Sequence, residues 1–349
     1  MRMSRILPGM ATGAALLLAG CATSPDRTSL RQISGESVLC VGEEPAALAW
    51  LPDPRQPLRV RSTYLLSTDT IQYAEGHDYT VDYEQGRLRR TPGSRIPDFR
   101  TNILFAQEEF DHNAFPGFGN TGFFAFVDYT PLKPPVWPVP FPQPDWLERT
   151  RAKLAAGEAV KLVAFGDSIT AGGDATLPGL IFWNRWADEL KRKYPAATIT
   201  AQNGATGGDS TVQGLARLQA KVLNEHPDLV LVGFGMNDHN QGGVPIPQFE
   251  DNLKEIVARI RMHTSDEVIL FSAFPPNPSW KFGTRRMADY AAATERTARA
   301  VSCAYADVFG NWRALAARKQ PEDLLGNNIN HPNDFGHWIY YRVLASLEL

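Results

Sequence analysis

The chain has 349 residues, 43% of them hydrophobic and 21% charged, with a formal net charge of −3. That supplies apolar material for a sizeable core and, by length, for two domains. Acids and bases are interspersed without a basic run or stripe, which argues against a nucleic-acid partner.

Arg2 and Arg5 precede an apolar stretch, Ala14-Ala15-Leu16-Leu17-Leu18, that is too short to span a membrane as a mature helix and has the pattern of an export signal. It ends in Leu18-Ala19-Gly20-Cys21, which resembles the lipobox of bacterial lipoproteins. The resemblance implies cleavage before Cys21 and lipidation of its thiol. With Ala22 following, it implies a cell-envelope protein anchored on the periplasmic side of the outer membrane. More than one acyl chain on that cysteine makes a stable anchor. The expected organisation is a signal peptide over residues 1–20, a polar tether over 21–36, a β-rich accessory domain over 37–130, a proline-rich linker over 131–146 and an α/β domain over 147–349. Cys40 and Cys303 lie far apart in apolar, strand-like contexts and are expected to be buried thiols more readily than a disulfide.

From Val38 to about Tyr129 the pattern is strand-like. Tyr79-Thr80-Val81-Asp82-Tyr83 alternates large apolar and polar side chains, and Gln85-Gly86 can turn the chain into Arg87-Leu88-Arg89. Seven prolines then fall between 131 and 144, a density that removes backbone donors and favours an extended path. Trp137 and Phe141 within it should pack along a surface.

Beyond the linker, short apolar runs alternate with amphipathic helices. Strands are expected at Ala159–Phe165, Thr198–Gln202, Leu229–Phe234, Val268–Phe274 and Ala304–Val308. Helical stripes comprise Leu180, Trp183, Ala187, Leu190 and Tyr194; Leu215, Leu218 and Val222; and Phe249, Leu253, Ile256 and Ile260. This alternation predicts a parallel sheet with helices on both faces. The stripes are core-facing and imply no cofactor.

Several strand ends carry polar signatures. After the first strand comes Gly166-Asp167-Ser168-Ile169-Thr170, where a serine on a tight strand-to-helix turn is a candidate nucleophile. The second strand ends in Asn203-Gly204-Ala205-Thr206-Gly207-Gly208-Asp209-Ser210, whose glycines can present a backbone N–H. The third ends in Gly235-Met236-Asn237-Asp238, and the Asn237 amide can donate to a developing oxyanion. Near the C-terminus, His331 in Asn328-Ile329-Asn330-His331-Pro332 is a candidate base for Ser168. Asp334 is expected to cap the last helix and His337 to pack near the core. His239 is a candidate for lining the cleft, and Trp280 and Phe282 for an exposed stacking surface. His77, His112, His226 and His263 lack metal-ligand spacing, so no metal site is expected.

These four blocks, in this order, resemble the SGNH or GDSL hydrolases over about Lys161 to Leu349. The resemblance implies a flavodoxin-like three-layer fold, a Ser168 nucleophile, a His331 base, and an oxyanion hole built from the Ser168 N–H, the Gly208 N–H and the Asn237 amide, with no cofactor. The family's acid stands three residues before the histidine, where this chain has Asn328. Asn328 itself, Asp323 or a backbone carbonyl are the three candidates to orient the imidazole. The activity implied is hydrolysis of O-acyl esters, with short acyl groups on an acylated carbohydrate of the envelope as the expected substrate. Two alternatives are a lysophospholipase or thioesterase and a glycan-binding lipoprotein with weakened chemistry.

Overall fold

The computed structural model describes residues 32–143, 145–264 and 267–349. The export signal and Cys21 lie outside them. The chain opens with β1 (Ile33–Leu39), β2 (Ala46–Ala47), β3 (Arg59–Arg61), β4 (Gln72–Tyr73), β5 (Tyr79–Asp82), β6 (Arg87–Arg90) and β7 (Phe124–Tyr129). Antiparallel pairing arranges these as a four-stranded sheet, β1-β7-β3-β4, and a three-stranded sheet, β2-β6-β5. The β5–β6 hairpin pairs Tyr79 with Arg90 and Asp82 with Arg87, the register expected of a turn at Gln85-Gly86. β1 begins at Ile33, inside the stretch expected to be a tether. Its residues from Gly35 onward pack against β7 and the C-terminal part of the chain.

The proline-rich segment runs along the surface with its aromatics turned inward. Phe141 stacks parallel to Tyr305 at 6.1 Å, and Trp137 meets Trp50 and Trp338 edge-on. After α1 (Glu148–Ala155) come β8 (Ala159–Gly166), α2 (Ser168–Ala171), α3 (Phe182–Lys193), β9 (Thr198–Asn203), α4 (Thr211–Lys221), β10 (Leu229–Gly233), α5 (Ile246–Thr264), β11 (Glu267–Phe271), α6 (Met287–Ala300), β12 (Ala304–Ala306), α7 (Val308–Ala316) and α8 (Asp334–Ala345). β8 to β12 form a parallel sheet in the order β12-β11-β10-β8-β9. α8 packs against α3 and α7, while α5 packs against α4 and α6. The central strand β10, Leu-Val-Leu-Val-Gly, is wholly buried, as a strand covered on both faces must be.

The last two strands are shorter than the sequence suggests. β11 ends at Phe271; Ser272 makes a last cross-strand bond, N–H to the Ala306 carbonyl at 3.3 Å, and its hydroxyl accepts the Phe309 N–H. β12 stops at Ala306 because Asp307 caps α7, accepting from the Gly310 N–H, and so draws Val308 into the helix. Cys40 and Cys303 are buried free thiols, and burial pushes each up to about 12. Among the described residues no helix is long and apolar enough to cross a membrane.

Candidate functional site

Ser168 opens α2 directly after β8, the second strand from the sheet edge. Asp167 caps that short helix, accepting the Ile169 N–H at 2.9 Å. The Asp167 carboxyl is fully buried, and burial pushes its pKa up to about 7. This cap holds the serine at the carboxyl end of the sheet, the end at which open α/β folds bind ligands.

The loop that carries His331 is drawn around one side-chain oxygen. Asn327 Oδ1 accepts the N–H groups of Ile329, Asn330 and His331 at 2.9–3.0 Å, and the His331 carbonyl accepts from Gly326 N–H. The imidazole so placed has its Nε2 2.9 Å from Ser168 Oγ. Its Nδ1 lies 3.0 Å from Asp174 Oδ2. Side chains from two chain segments, 168–174 and the His331 loop, thus make one continuous polar relay, half-open to solvent, with His331 25% and Asp174 31% exposed.

Asp174 was not foreseen from the sequence. It sits six residues after Ser168 in Ala171-Gly172-Gly173-Asp174, with a left-handed backbone (φ 59°) that turns its carboxylate back toward the imidazole. A glycine pair followed by an acid just beyond the short helix of Ser168 was the available signal. Two close approaches explain the glycines around it. A Cβ on Gly173 would lie 2.8 Å from His331 Nδ1, and one on Gly326 would lie 2.5 Å from Asp174 Cβ. Both positions must be glycine for ring and carboxylate to meet.

The three sequence candidates for orienting the ring are all occupied elsewhere. Asn328 also has a left-handed backbone (φ 62°), which turns its side chain to the far side of the loop. There its Oδ1 accepts from the amides of Asn120 and Asn277 at 3.3 and 3.2 Å. Asp323 is buried between β1 and Lys319, accepting the Leu39 N–H at 2.7 Å with the Lys319 ammonium at 3.4 Å. No backbone carbonyl takes the place at Nδ1, because the Asp174 carboxylate holds it.

The expected oxyanion donors come from neighbouring strand ends. Ser168 is the first residue of α2, where an N–H has no intrahelical acceptor. Gly208 is exposed in the turn after β9, with φ 81°. Asn237 donates one amide hydrogen to the Asp209 carbonyl at 2.9 Å, which fixes the amide plane and leaves its second N–H. Buried Asp238 ties this loop to the start of α4 by accepting from the N–H and hydroxyl of Thr211 at 2.9 and 2.6 Å.

Other residues differ from expectation. Asn333 caps α8, accepting from Gly336 N–H, because its extended backbone aims the amide oxygen over the first turn. Asp334, expected in that role, points instead at the loop beyond Asp174. Trp280 is buried, with its indole N–H donating to His112 Nδ1 at 3.1 Å, and only Phe282 of the expected stacking pair is half-exposed. His239 is fully buried and bonded to the Met236 carbonyl, so it does not line an open cleft, and burial lowers its pKa. His337 is buried as expected. No cluster of metal-ligating side chains occurs among the described residues.

Comparison with known proteins places this geometry in context. The model of the GDSL-like lipase/acylhydrolase family matches residues 164–339. An arylesterase from Vibrio mimicus is 32% identical over 124 residues, 35% of this chain and 60% of the arylesterase. Esterase TesA from Pseudomonas aeruginosa is 33% identical over 145 residues, 40% of this chain and 69% of that esterase. Among solved structures, a two-domain esterase active on acetylated mannans superposes with a TM-score of 0.48 at 22% identity, covering 58% of this chain and 53% of the other. An acetylxylan esterase from Geobacillus stearothermophilus gives 0.47 at 22%, covering 54% and 93%. The match of the family model runs from the strand before Ser168 to the helix after His331, and on it the chain belongs to the GDSL-like lipase/acylhydrolase family.

Proposed function

We propose that the protein is a serine ester hydrolase acting through an acyl-enzyme, with Ser168 as nucleophile, His331 as base and Asp174 as the acid that orients it. The observation that carries this reading is the Ser168–His331–Asp174 relay, with contacts of 2.9 and 3.0 Å. His331 Nε2 takes the Ser168 proton as Oγ attacks the ester carbonyl. The tetrahedral oxyanion is met by the Ser168 and Gly208 N–H groups and the Asn237 amide. The imidazolium, held by the Asp174 carboxylate at Nδ1, then returns the proton to the departing alcohol. Water repeats the sequence to release the acid.

The substrate class we infer is a short acyl, most simply acetyl, ester on an envelope carbohydrate. Three features support it. The site is open enough for a bulky polymer to approach, since both His331 and Asp174 are partly exposed. Export and a lipid anchor at Cys21 would hold the enzyme at the periplasmic side of the outer membrane, among such polymers. The half-exposed Phe118 and Phe282, both packed edge-on to His112, lie in the aromatic cluster that includes Ile329, two residues from His331. The named activities of the relatives, arylesterase and esterase, fit the reaction type.

The test is hydrolysis of p-nitrophenyl esters from acetate to palmitate by the soluble protein starting after Cys21, with Ser168→Ala as control. Turnover highest on acetate and lost in the variant is expected. A long-chain optimum would reassign the substrate to a lipid, and turnover that survives Ser168→Ala would overturn the nucleophile.

A further inference from the structure

The first turns of α8 hold the loop that carries Asp174 from both sides. Behind Asp174, the Gly173 carbonyl accepts from His337 Nε2 at 3.1 Å. Ahead of it, Asp334 accepts both the Thr176 N–H (2.9 Å) and the Thr176 hydroxyl (2.8 Å). The two clasping side chains stand three residues apart on one helix and so project from the same face. His337 is wholly buried, its ring stacked on Phe182 at 6.0 Å and 12°, and its Nδ1 has no partner. With a carbonyl at Nε2, the proton must sit on that nitrogen and the ring is neutral. Burial, the largest influence, lowers its pKa to about 4, so it remains a neutral donor through the working range.

The arrangement has a physical reason. An acid placed three residues before the histidine would ride on the same short loop as the base. Asp174 instead lies on a different segment, at the surface and with a left-handed backbone (φ 59°), so that the turn around it must be held in place. Its carboxylate needs an external frame to stay 3.0 Å from His331 Nδ1. The groups facing His337 are the Gly173 carbonyl, the Phe182 ring, Arg185 on α3, and His331 with Asp174 across the loop. Of these only the carbonyl is bonded to it.

We propose that His337 and Asp334 are positioning residues for the reaction: they fix the 173–176 loop so that Asp174 meets the imidazole of His331. This rests on the reading of Asp174 as the acid.

The test is a double-mutant cycle on p-nitrophenyl acetate, using Asp174→Asn, His337→Leu, His337→Gln and Thr176→Val. Asp174→Asn alone reports on the underlying reading. If it leaves kcat unchanged, the acid assignment fails. With that loss established, His337→Leu should lower kcat about 10–100-fold with KM little changed. His337→Gln, which keeps a donor, should recover most of the rate. Thr176→Val, on the exposed side and safe for folding, should cost a few-fold. In the Asp174→Asn background neither His337→Leu nor Thr176→Val should cost anything further. Full additivity there, or a folded His337→Leu that raises KM with kcat unchanged, together with undiminished kcat in Thr176→Val, would overturn the proposal.

Discussion

At the scale of single residues, the site depends on absent side chains as much as on present ones. Gly173 lies beneath the His331 ring, so Gly173→Ala should push the imidazole off the serine. The expected result is a loss of at least 100-fold in kcat in a protein whose thermal transition is little changed, read from kinetics beside circular dichroism. Asp167 presents a separable effect. Its folded-state pKa, about 7, is raised by burial above the ordinary 3.8, so the folded chain holds a proton that the unfolded chain releases. Stability from this group is complete below pH 3.8 and is lost as pH rises toward 7. Asp167→Asn keeps an acceptor for the Ile169 N–H and removes the titration. Relative to the parent, its unfolding free energy from urea titration should rise progressively between pH 4 and pH 7, by on the order of 3 kcal/mol. A pH-independent difference would refute the assignment. Ser168, His331, Gly208 and Asn237 were legible in the sequence as candidates because each follows a recognisable strand or precedes the last helix. Asp174 was not, since the glycine pair before it does not say that a left-handed turn would aim its carboxylate at an imidazole 157 residues away.

At the scale of elements, the N-terminal β region and the His331 loop are built together. Asn120, wholly buried, receives nothing from solvent. Its N–H donates to the Gly326 carbonyl at 2.7 Å, and its side-chain amide donates to the Leu325 carbonyl at 3.0 Å and to Asn328 Oδ1 at 3.3 Å. Asn277, after β11, holds the same loop from the other side through the Ile329 and Asn328 carbonyls. Asn120→Ala leaves buried acceptors without donors and should cost about 1–3 kcal/mol. Because the same loop positions His331, kcat should fall as well; a variant destabilised to that extent but fully active would separate loop support from catalysis. Strands with strong periodicity, such as β5, β8 and β10, were readable from sequence to within a residue or two, and the stripe from Phe249 to Ile260 located α5 without its ends. The ends of β11 and β12 were not. There the hydroxyl of Ser272 and the cap of Asp307 end the strands, whereas hydrophobicity alone would carry them on.

At the scale of the whole molecule, a buried ionic cluster joins the first strand to the last third of the chain. Glu36 on β1 accepts from Lys319 Nζ at 2.9 Å, from Tyr129 Oη at 2.6 Å and from the Ala49 N–H at 2.7 Å. Asp323, on the other side of Lys319, accepts the Leu39 N–H, and Ser37 is bonded to the Asp323 carbonyl and the Asn333 amide. Both Lys319 and Glu36 are fully buried, so removing one partner strands the other charge, at about 3–5 kcal/mol. A chain beginning at residue 147 would lose Glu36 and leave Lys319 buried with Asp323 alone, and would lose Asn120 as well. It should therefore be insoluble or unfolded by circular dichroism, and a soluble, active fragment would show that the β region is a detachable module. The sequence suggested such a module joined by a linker. What it concealed is that polar residues of β1, scattered among apolar ones, are the complements of Lys319 and Asp323 far down the chain.

In the proposed relay, Ser168 is activated by His331 under the hold of Asp174. That activation is tested most directly by the rate at which a fluorophosphonate adds to the protein, followed by intact mass and located by peptide mapping. We predict one adduct, on Ser168, whose formation slows at least 100-fold in Asp174→Asn and by less than about ten-fold in Asn328→Ala, which loosens the loop but leaves the carboxylate at the ring. Equal slowing in both, or slowing in Asn328→Ala alone, would contradict the account and return the acid's role to the loop before the histidine.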